Sequence, residues 1–257
     1  ELTPVSDVDH EQPLISHLLE LRSRLLRMVV GILLIFVALS PFSNPIYTTL
    51  AGPLLKHLPA QSSMIAIDVL SPFLTPLKFT LILSVFLTIP WTLYQVWAFV
   101  APGLYQREKR LILPVLLSSI LLFYCGMAFA YFVIMPLFFA FLTGTAPQGV
   151  AVMTDINHYL DFVLTMFFAF GVAFEVPVAT VILVLIGVIT PDALAAKRPY
   201  VIVGAFIVGM LLTPPDVISQ TLLALPMWLL FEAGVFIARL LLRRRSAEAA
   251  TQSLSER

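Results

Sequence analysis

Residues 111–142 read LILPVLLSSILLFYCGMAFAYFVIMPLFFAFL, and no charged side chain occurs between Arg110 and Asp155. An α-helix rises about 1.5 Å per residue, so roughly 20 apolar residues are enough to cross the hydrocarbon core of a bilayer. In a water-soluble domain a stretch this long and apolar would have to be covered by polar surface. The stretch therefore predicts a membrane-spanning helix.

The composition of the whole chain agrees with that prediction. Of its 257 residues, 60% are hydrophobic and only 12% are charged, against about 25% charged residues in a typical soluble domain. The 15 Lys and Arg residues balance the 15 Asp and Glu residues, whereas a nucleic-acid-binding domain carries a basic excess. The numbers exclude a soluble enzyme, a disordered chain and a nucleic-acid-binding protein.

Charged residues divide the sequence into six apolar spans, which predicts an all-α polytopic membrane protein. The predicted spans are Met28–Phe42 with a start reaching back to Leu25, Phe79–Val100, most of Leu111–Leu142, Tyr159–Ile189, Tyr200–Leu212 and Ile218–Ala238. The fifth span is short, and a locally thinned bilayer would accommodate it. Proline inside a helix frees a carbonyl and bends the helix; the prolines concerned are Pro90, Pro114, Pro136, Pro177 and Pro226.

The six spans define the domain organisation. We expect a cytoplasmic N-terminal tail and amphipathic helix over residues 1–24, a membrane domain over 25–240, and a cytoplasmic C-terminal tail over 241–257. Within the membrane domain, the proline-rich segment at about 43–76 predicts a rigid external cap with short helical pieces.

The orientation follows from the positions of Lys and Arg, which accumulate on the cytoplasmic side of a membrane protein. With six spans, thirteen of the 15 basic residues fall on one side. They are Arg22, Arg24, Arg27, Arg107, Lys109, Arg110, Lys197, Arg198, Arg239, Arg243, Arg244, Arg245 and Arg257. Only Lys56 and Lys78 fall on the other side. Both termini are therefore predicted to face the cytoplasm.

The sequence contains no pattern typical of a catalytic or metal site. It lacks an H-E-x-x-H motif and a serine nucleophile elbow, and its single cysteine, Cys125, excludes a disulfide within the chain. We expect Cys125 to be a small core residue. No enzymatic activity, cofactor or metal site is predicted.

Two acidic residues lie inside predicted spans. A carboxylate near the centre of a bilayer costs about 3 kcal/mol or more, so such residues normally face a cavity or a partner. Glu175, in Phe174-Glu175-Val176-Pro177, is interpreted as a polar anchor or proton-accepting site. The alternative is a protonated carboxyl group bonded to a carbonyl that Pro177 frees. For Glu232, structural pairing and a functional role remain equally open.

Two further acidic residues, Glu20 and Glu108, lie among basic residues at the predicted cytoplasmic edge of the membrane. Glu20 could pair with Arg24 four positions later on a helix, and Glu108 could belong to an ordinary charged loop. Both carboxylates could instead each receive an arginine guanidinium in a bidentate pair. They would then recognise a cationic ligand at the membrane surface.

Several motifs, in order along the chain, are similar to those of the TatC family, the multi-spanning receptor subunit of the twin-arginine protein translocase. The motifs are His17-Leu-Leu-Glu20-Leu-Arg22, Tyr94-Gln-Val-Trp-Ala-Phe99, Phe170-Gly-Val-Ala-Phe-Glu175-Val-Pro177, Lys197-Arg-Pro-Tyr200 and Gly209-Met-Leu-Leu-Thr-Pro-Pro-Asp216. The resemblance extends from about Gln12 to Arg239. It implies six transmembrane helices in a curved, glove-like arrangement within the bacterial cytoplasmic membrane.

The resemblance also implies a function. Members of the family bind paired-arginine signal peptides of folded proteins and export these proteins together with TatA and TatB, within a larger complex in which TatC self-associates. The signal-binding glutamates match Glu20 and Glu108, with Arg22 and Phe99 as neighbouring contributors, and the intramembrane glutamate matches Glu175. Partner-helix contacts match positions near Met210, Thr213 and Gln220, and a position important for assembly or transport matches Pro53.

Two other classes of function remain as alternatives. A proton-coupled secondary transporter could use Glu175 as its proton carrier, but it would normally have inverted repeats and broken helices around a midplane site. A membrane enzyme would need a nucleophile–base pair, which the sequence does not contain. Selective binding of a peptide with adjacent arginines over one with lysines would distinguish a signal receptor from both, since lysine lacks the planar fork of arginine.

Overall fold

The computed structural model describes residues 8–55, 64–65, 69–100, 112–145, 154–212 and 217–255. These residues form helices almost throughout. The elements are α1 (Val8–Leu39), a 3-10 turn (Ser40–Phe42), α2 (Ser43–Leu55), β1 (Met64–Ile65), α3 (Ser71–Leu87), α4 (Ile89–Val100), α5 (Ile112–Phe129), a π-helical turn (Ala130–Ile134), α6 (Met135–Thr145), β2 (Thr154–Asp155), α7 (Ile156–Ala173), α8 (Val176–Leu185), α9 (Pro191–Ala196), α10 (Arg198–Leu212) and α11 (Val217–Ser255).

The predicted all-α membrane fold class is confirmed, and each predicted span falls on an apolar helical segment. Among the described residues, four segments have the length and composition of a single spanning helix: Leu18–Thr49, Leu113–Phe141, Ile156–Leu185 and Gln220–Arg243. Helices α3 and α4 form a fifth candidate, bent by 47°. Helix α10 is apolar but shorter, as the sequence predicts for the fifth span.

The second span begins earlier than the sequence predicts. Its expected start at Phe79 rests on the charge of Lys78, whereas α3 begins at Ser71 and includes Lys78. A single lysine does not end a helix, because its long aliphatic stem can carry the ammonium group towards the interface.

Three of the predicted proline bends coincide with breaks in a helix. Pro90 lies in the first turn of α4, immediately after the bend at Thr88. Pro136 follows the π-helical turn, and Pro177 follows the break at Glu175 between α7 and α8. Proline is tolerated in a first turn because its missing N–H would have no intrahelical acceptor there. Pro226, by contrast, lies inside the uninterrupted helix α11.

The chain divides into two compact units. The first comprises Glu1–Tyr47 with Pro76–Leu116, and in it α1 packs against α4. The second comprises Thr48–Thr75 with Leu117–Arg257, and in it α11 packs against both α8 and α10. An apolar core of the second unit consists of Val184, Leu194, Phe231, Val235 and Ala238.

Polar side chains are buried along the second span, while several large apolar ones, such as Leu81, Leu87 and Trp91, are exposed. The buried polar residues of α3 and α4 and the residue between them are Ser71, Thr75, Thr80, Ser84, Thr88 and Gln95. Hydroxyl groups along α3 donate to carbonyls one turn earlier, as Ser84 does to Thr80 at 2.7 Å.

Cys125, expected in the core, is instead exposed. In a bilayer an apolar side chain can face lipid, so hydrophobicity does not require burial within the protein.

The predicted first and third external connections are joined in a way the sequence does not indicate. Strands β1 and β2 pair in parallel, with Met64 opposite Thr154 and Ile65 opposite Asp155. Close by in sequence, the Asn157 side chain hydrogen-bonds the hydroxyl groups of Ser71 and Thr75. These contacts attach the start of α3 to the start of α7.

Candidate functional site

The carboxylate of Glu20 already holds a guanidinium group. On α1, Arg24 Nε and Nη2 donate to Glu20 Oε1 at 2.9 and 2.6 Å. Arg24 Nη1 lies 3.4 Å from Oε1 of Gln95, a residue of α4 that is only 1% exposed. The Arg24 side chain is 16% exposed and that of Glu20 is 35% exposed. Glu20 is therefore the outer, accessible member of the three.

The close approach of α1 and α4 brings these residues together. Trp91 Nε1 donates to the backbone carbonyl of Arg27 at 3.2 Å. Gly31, one turn further along α1, leaves room for the indole ring, because a Cβ there would lie 3.0 Å from Trp91 Cδ1. An apolar groove of about 580 Å³ runs beside this contact. It is lined by residues that include Leu26, Val30 and Leu34.

Of the other predicted signal-binding residues, the structure describes Phe99 and Arg22. Phe99 lies four positions after Gln95 on α4, so the two share a helical face. Arg22 is exposed on α1, about 200° around the helix from Glu20. Glu108 lies outside the described residues, so its predicted proximity to Glu20 stays a prediction.

Glu175 lies at the break between α7 and α8, where its backbone N–H bonds the carbonyl of Val172. The hydroxyl group of Ser119, on α5, donates a hydrogen bond to the Glu175 carboxyl group. Oε1 of Glu175 is buried and receives no hydrogen bond from a described residue. The break thus places a half-buried carboxyl group with an unused acceptor inside a predicted span.

The approach of α5 to α7 depends on Gly126. A Cβ at this position would collide with the backbone carbonyl of Phe170. Phe129, one turn later, packs its ring against Phe170 and Phe174, with ring centroids 5.7 and 5.5 Å away. This packing fixes the end of α7 from which Glu175 projects.

Glu232, for which pairing and function were equally open, is paired. Arg198 Nε donates to Glu232 Oε1 at 2.5 Å, and its Nη2 donates to Oε2 at 2.8 Å. This bidentate bond links the start of α10 to α11. A second pair, Arg239 with Asp192, joins α11 to α9 at 3.0 Å. The structure therefore supports a structural role for Glu232.

Of the predicted partner-contact residues, Met210 and Gln220 lie where α10 and α11 meet. A Cβ on Gly209 would lie 3.3 Å from the carbonyl oxygen of Gln220, so the two backbones are close. Met210 is exposed beside this crossing. Thr213 lies outside the described residues. Pro53 lies within α2, at residues 43–55.

A small apolar pocket of about 160 Å³ lies further along the same pair of helices. Trp228 lines it together with Ile202 and Phe206 of α10 and three residues of α11. The Trp228 Nε1 atom is buried and bonds no described residue. Beneath the exposed apolar surface of α10 and α11 there is thus a buried donor that bonds no described residue.

Sequence reasoning missed two residues of these sites. Gln95 belongs to a motif that carries the family resemblance, yet no role is predicted for its amide from the sequence. Ser119 lies in a charge-free span and carries no motif. A polar residue inside an apolar span was the available signal for both, because it must find a partner there.

Comparisons with known proteins agree on one family. The sequence model described as Sec-independent protein translocase protein (TatC) matches residues 16–226. TatC of Azotobacter chroococcum mcd 1 is 58% identical over 255 residues, covering 99% of this chain and 100% of that protein. TatC of Escherichia coli (strain K12) is 60% identical over 232 residues and 90% of each chain.

Solved structures give the same result. A crystal structure described as the twin arginine translocase receptor TatC superposes with a TM-score of 0.78 at 39% identity. It covers 87% of this chain and 98% of the crystallised one. A second crystal structure of that receptor, in the detergent DDM, matches with the same TM-score at 38% identity.

Proposed function

The chain belongs to the TatC family of Sec-independent protein translocase proteins, and from this premise we propose that it is the signal-peptide receptor of its translocase. Family membership makes it a multi-pass membrane protein of a transport complex. In the proposed role, its cytoplasmic face binds the paired arginines of an export signal through Glu20 and Glu108.

The observation that carries this proposal is the guanidinium bound to Glu20. The two bonds from Arg24 support the proposal, because they pair the Glu20 carboxylate with the same kind of group that an export signal would present. A charge-assisted bond of this kind contributes about 1.5–3 kcal/mol. Arg22, Phe99 and Glu108 complete the proposed site by family resemblance.

Binding of a labelled peptide with paired arginines to the detergent-solubilised protein tests the proposal. Glu20→Gln should weaken binding roughly tenfold or more, since one charge-assisted contact is lost. Asp192→Asn is the matched control, because it removes one exposed carboxylate elsewhere and should leave the affinity unchanged. A Glu20→Gln, Glu108→Gln protein that bound the peptide at full affinity would refute the proposal.

We further propose that single-span TatA and TatB subunits dock on the face formed by α10 and α11, near Met210, Thr213 and Gln220. Helix α10 has 15 residues and is about 22 Å long, shorter than the roughly 30 Å hydrocarbon core. Its ends therefore benefit from a partner or a thinned bilayer. Pro53, in α2, is proposed to contribute to assembly.

Glu175 is proposed to hold a polar residue of a partner helix. Its Oε1 receives no hydrogen bond from a described residue, and a polar contact inside a bilayer is favourable for both helices. Crosslinking between the partner helix and this region should fall in Glu175→Leu. Unchanged crosslinking would contradict this role. Family membership disfavours the alternative of a proton-coupled secondary transporter.

We also propose that the protein lies in the bacterial cytoplasmic membrane with both termini inside the cell. The distribution of thirteen basic residues on one side supports this orientation. A C-terminal fusion to a reporter that is active only in the cytoplasm should be active. An inactive, stably produced fusion would contradict the orientation.

A further inference from the structure

Arg24 is held more firmly than an ordinary surface arginine. Two of its nitrogens bond Glu20 Oε1 and a third faces the buried amide oxygen of Gln95. The pair formed by Arg239 and Asp192 is a useful contrast, because it has a single bond and its Asp192 side chain is 91% exposed. Arg24 thus occupies Oε1 of Glu20 in the structure.

From this geometry we propose that Arg24 is a resident competitor that sets the selectivity of the Glu20 site for arginine over lysine. The inference rests on the proposed function, since it assumes that Glu20 receives an arginine of the export signal. A ligand that takes Glu20 Oε1, the oxygen that both Arg24 bonds use, must first displace Arg24. Only a ligand group that forms two hydrogen bonds to Glu20 compensates for the two that Arg24 gives up.

The chemistry of the two cations explains the selectivity. A guanidinium group presents parallel N–H donors in a planar fork, whereas the lysine ammonium group is a compact point charge. Exchange of Arg24 for a ligand arginine preserves two charge-assisted bonds to the carboxylate. Exchange for a lysine sacrifices one, which corresponds to about a tenfold loss of affinity or more.

Gln95 makes the exchange feasible. A displaced Arg24 would be costly if it lost every partner while partly buried. The Gln95 side chain is 1% exposed and is fixed by packing on α4, so its oxygen stays available to Arg24 Nη1. Arg24 can therefore leave Glu20 and retain an acceptor.

The test compares two peptides that differ only in a pair of arginines or a pair of lysines at the signal position. Affinities are measured for the detergent-solubilised wild type, Arg24→Gln and Arg24→Lys. We expect the affinity for the arginine peptide, divided by that for the lysine peptide, to fall about tenfold in Arg24→Gln. The main cause would be tighter binding of the lysine peptide. Arg24→Lys should also lower the ratio, since its ammonium group makes one bond that a ligand lysine can replace.

The outcomes separate this inference from the proposed function. If Arg24 acted only through charge repulsion, Arg24→Gln would strengthen both peptides equally and Arg24→Lys would change nothing; an unchanged ratio in both variants overturns the inference alone. A wild-type protein that bound neither peptide would overturn the proposed function and this inference with it. If Arg24→Gln proved unfolded by circular dichroism, the ratio in Arg24→Lys would decide.

Discussion

The contact of Gly31 with Trp91 is the packing feature that most directly determines the Glu20 site. Replacing Gly31 with leucine places a side chain where a Cβ alone would lie 3.0 Å from Trp91 Cδ1 and 3.1 Å from Nε1. Overpacking of this kind costs about 1–3 kcal/mol. If the indole rotates away instead, its hydrogen bond to the Arg27 carbonyl is lost, at about 0.5–1.5 kcal/mol.

Gly204→Leu is the matched control for this substitution. Gly204 lies inside α10, and a Cβ there would have no neighbour within 4 Å. Both substitutions gain about 1 kcal/mol of helix propensity, so the difference between them isolates the clash. We expect Gly31→Leu to lower the free energy of unfolding by about 1–3 kcal/mol relative to Gly204→Leu.

The assay is denaturant unfolding in detergent micelles, followed by far-UV circular dichroism. Trp91→Ala removes the ring that the new leucine meets, so the cost of Gly31→Leu should largely disappear in that background. If Gly31→Leu lowered the free energy of unfolding equally with and without the Trp91 ring, the glycine would not serve this contact, and the reasoning would be refuted. Binding of the arginine peptide should weaken in Gly31→Leu, because separation of α1 from α4 withdraws Gln95.

Three further predictions follow from named contacts. Gln95→Leu should weaken binding of the paired-arginine peptide several-fold, because the displaced Arg24 loses its second acceptor; a rise in affinity, measured by fluorescence anisotropy, would contradict this. Ser119→Ala should lower the free energy of unfolding by about 0.5–1 kcal/mol, and it should have no effect once Glu175→Leu has removed the acceptor, as denaturant titration of both backgrounds can establish. Glu232→Gln should lower the Tm of the solubilised protein, whereas Asp192→Asn, which changes a far more exposed carboxylate, should leave it nearly unchanged; equal shifts would argue against the bidentate link between α10 and α11.

Much of the fold could be predicted because the bilayer restricts which residues a spanning segment can contain. A spanning helix must satisfy its backbone hydrogen bonds within itself and present apolar side chains, so its position is visible from charge and hydropathy alone. The break before Pro177 was also predictable, since proline acts locally. The start of the second span was missed because Lys78 was taken as a boundary, although α3 continues through it.

The candidate sites could be predicted in part: the acidic residues could be identified from the sequence, but their partners could not. Glu20 and Glu175 were identifiable because a carboxylate among arginines or inside an apolar span is costly without a partner. The partners themselves were not identifiable. Gln95 is 71 positions from Arg24, and Ser119 lies on α5, far from Glu175 in the sequence, so no local pattern connects them.

The sequence by itself determined the membrane class, the positions of the helices and the acidic residues that interrupt the apolar and basic background. These properties depend on each residue's own cost of transfer into lipid or water, which local composition specifies. The tertiary structure decided which groups meet. Only the packing of α1 on α4 brings a buried amide to Arg24, and only the bidentate contact of Arg198 gives Glu232 a structural role, because a hydrogen bond depends on distances between atoms that the chain itself leaves far apart.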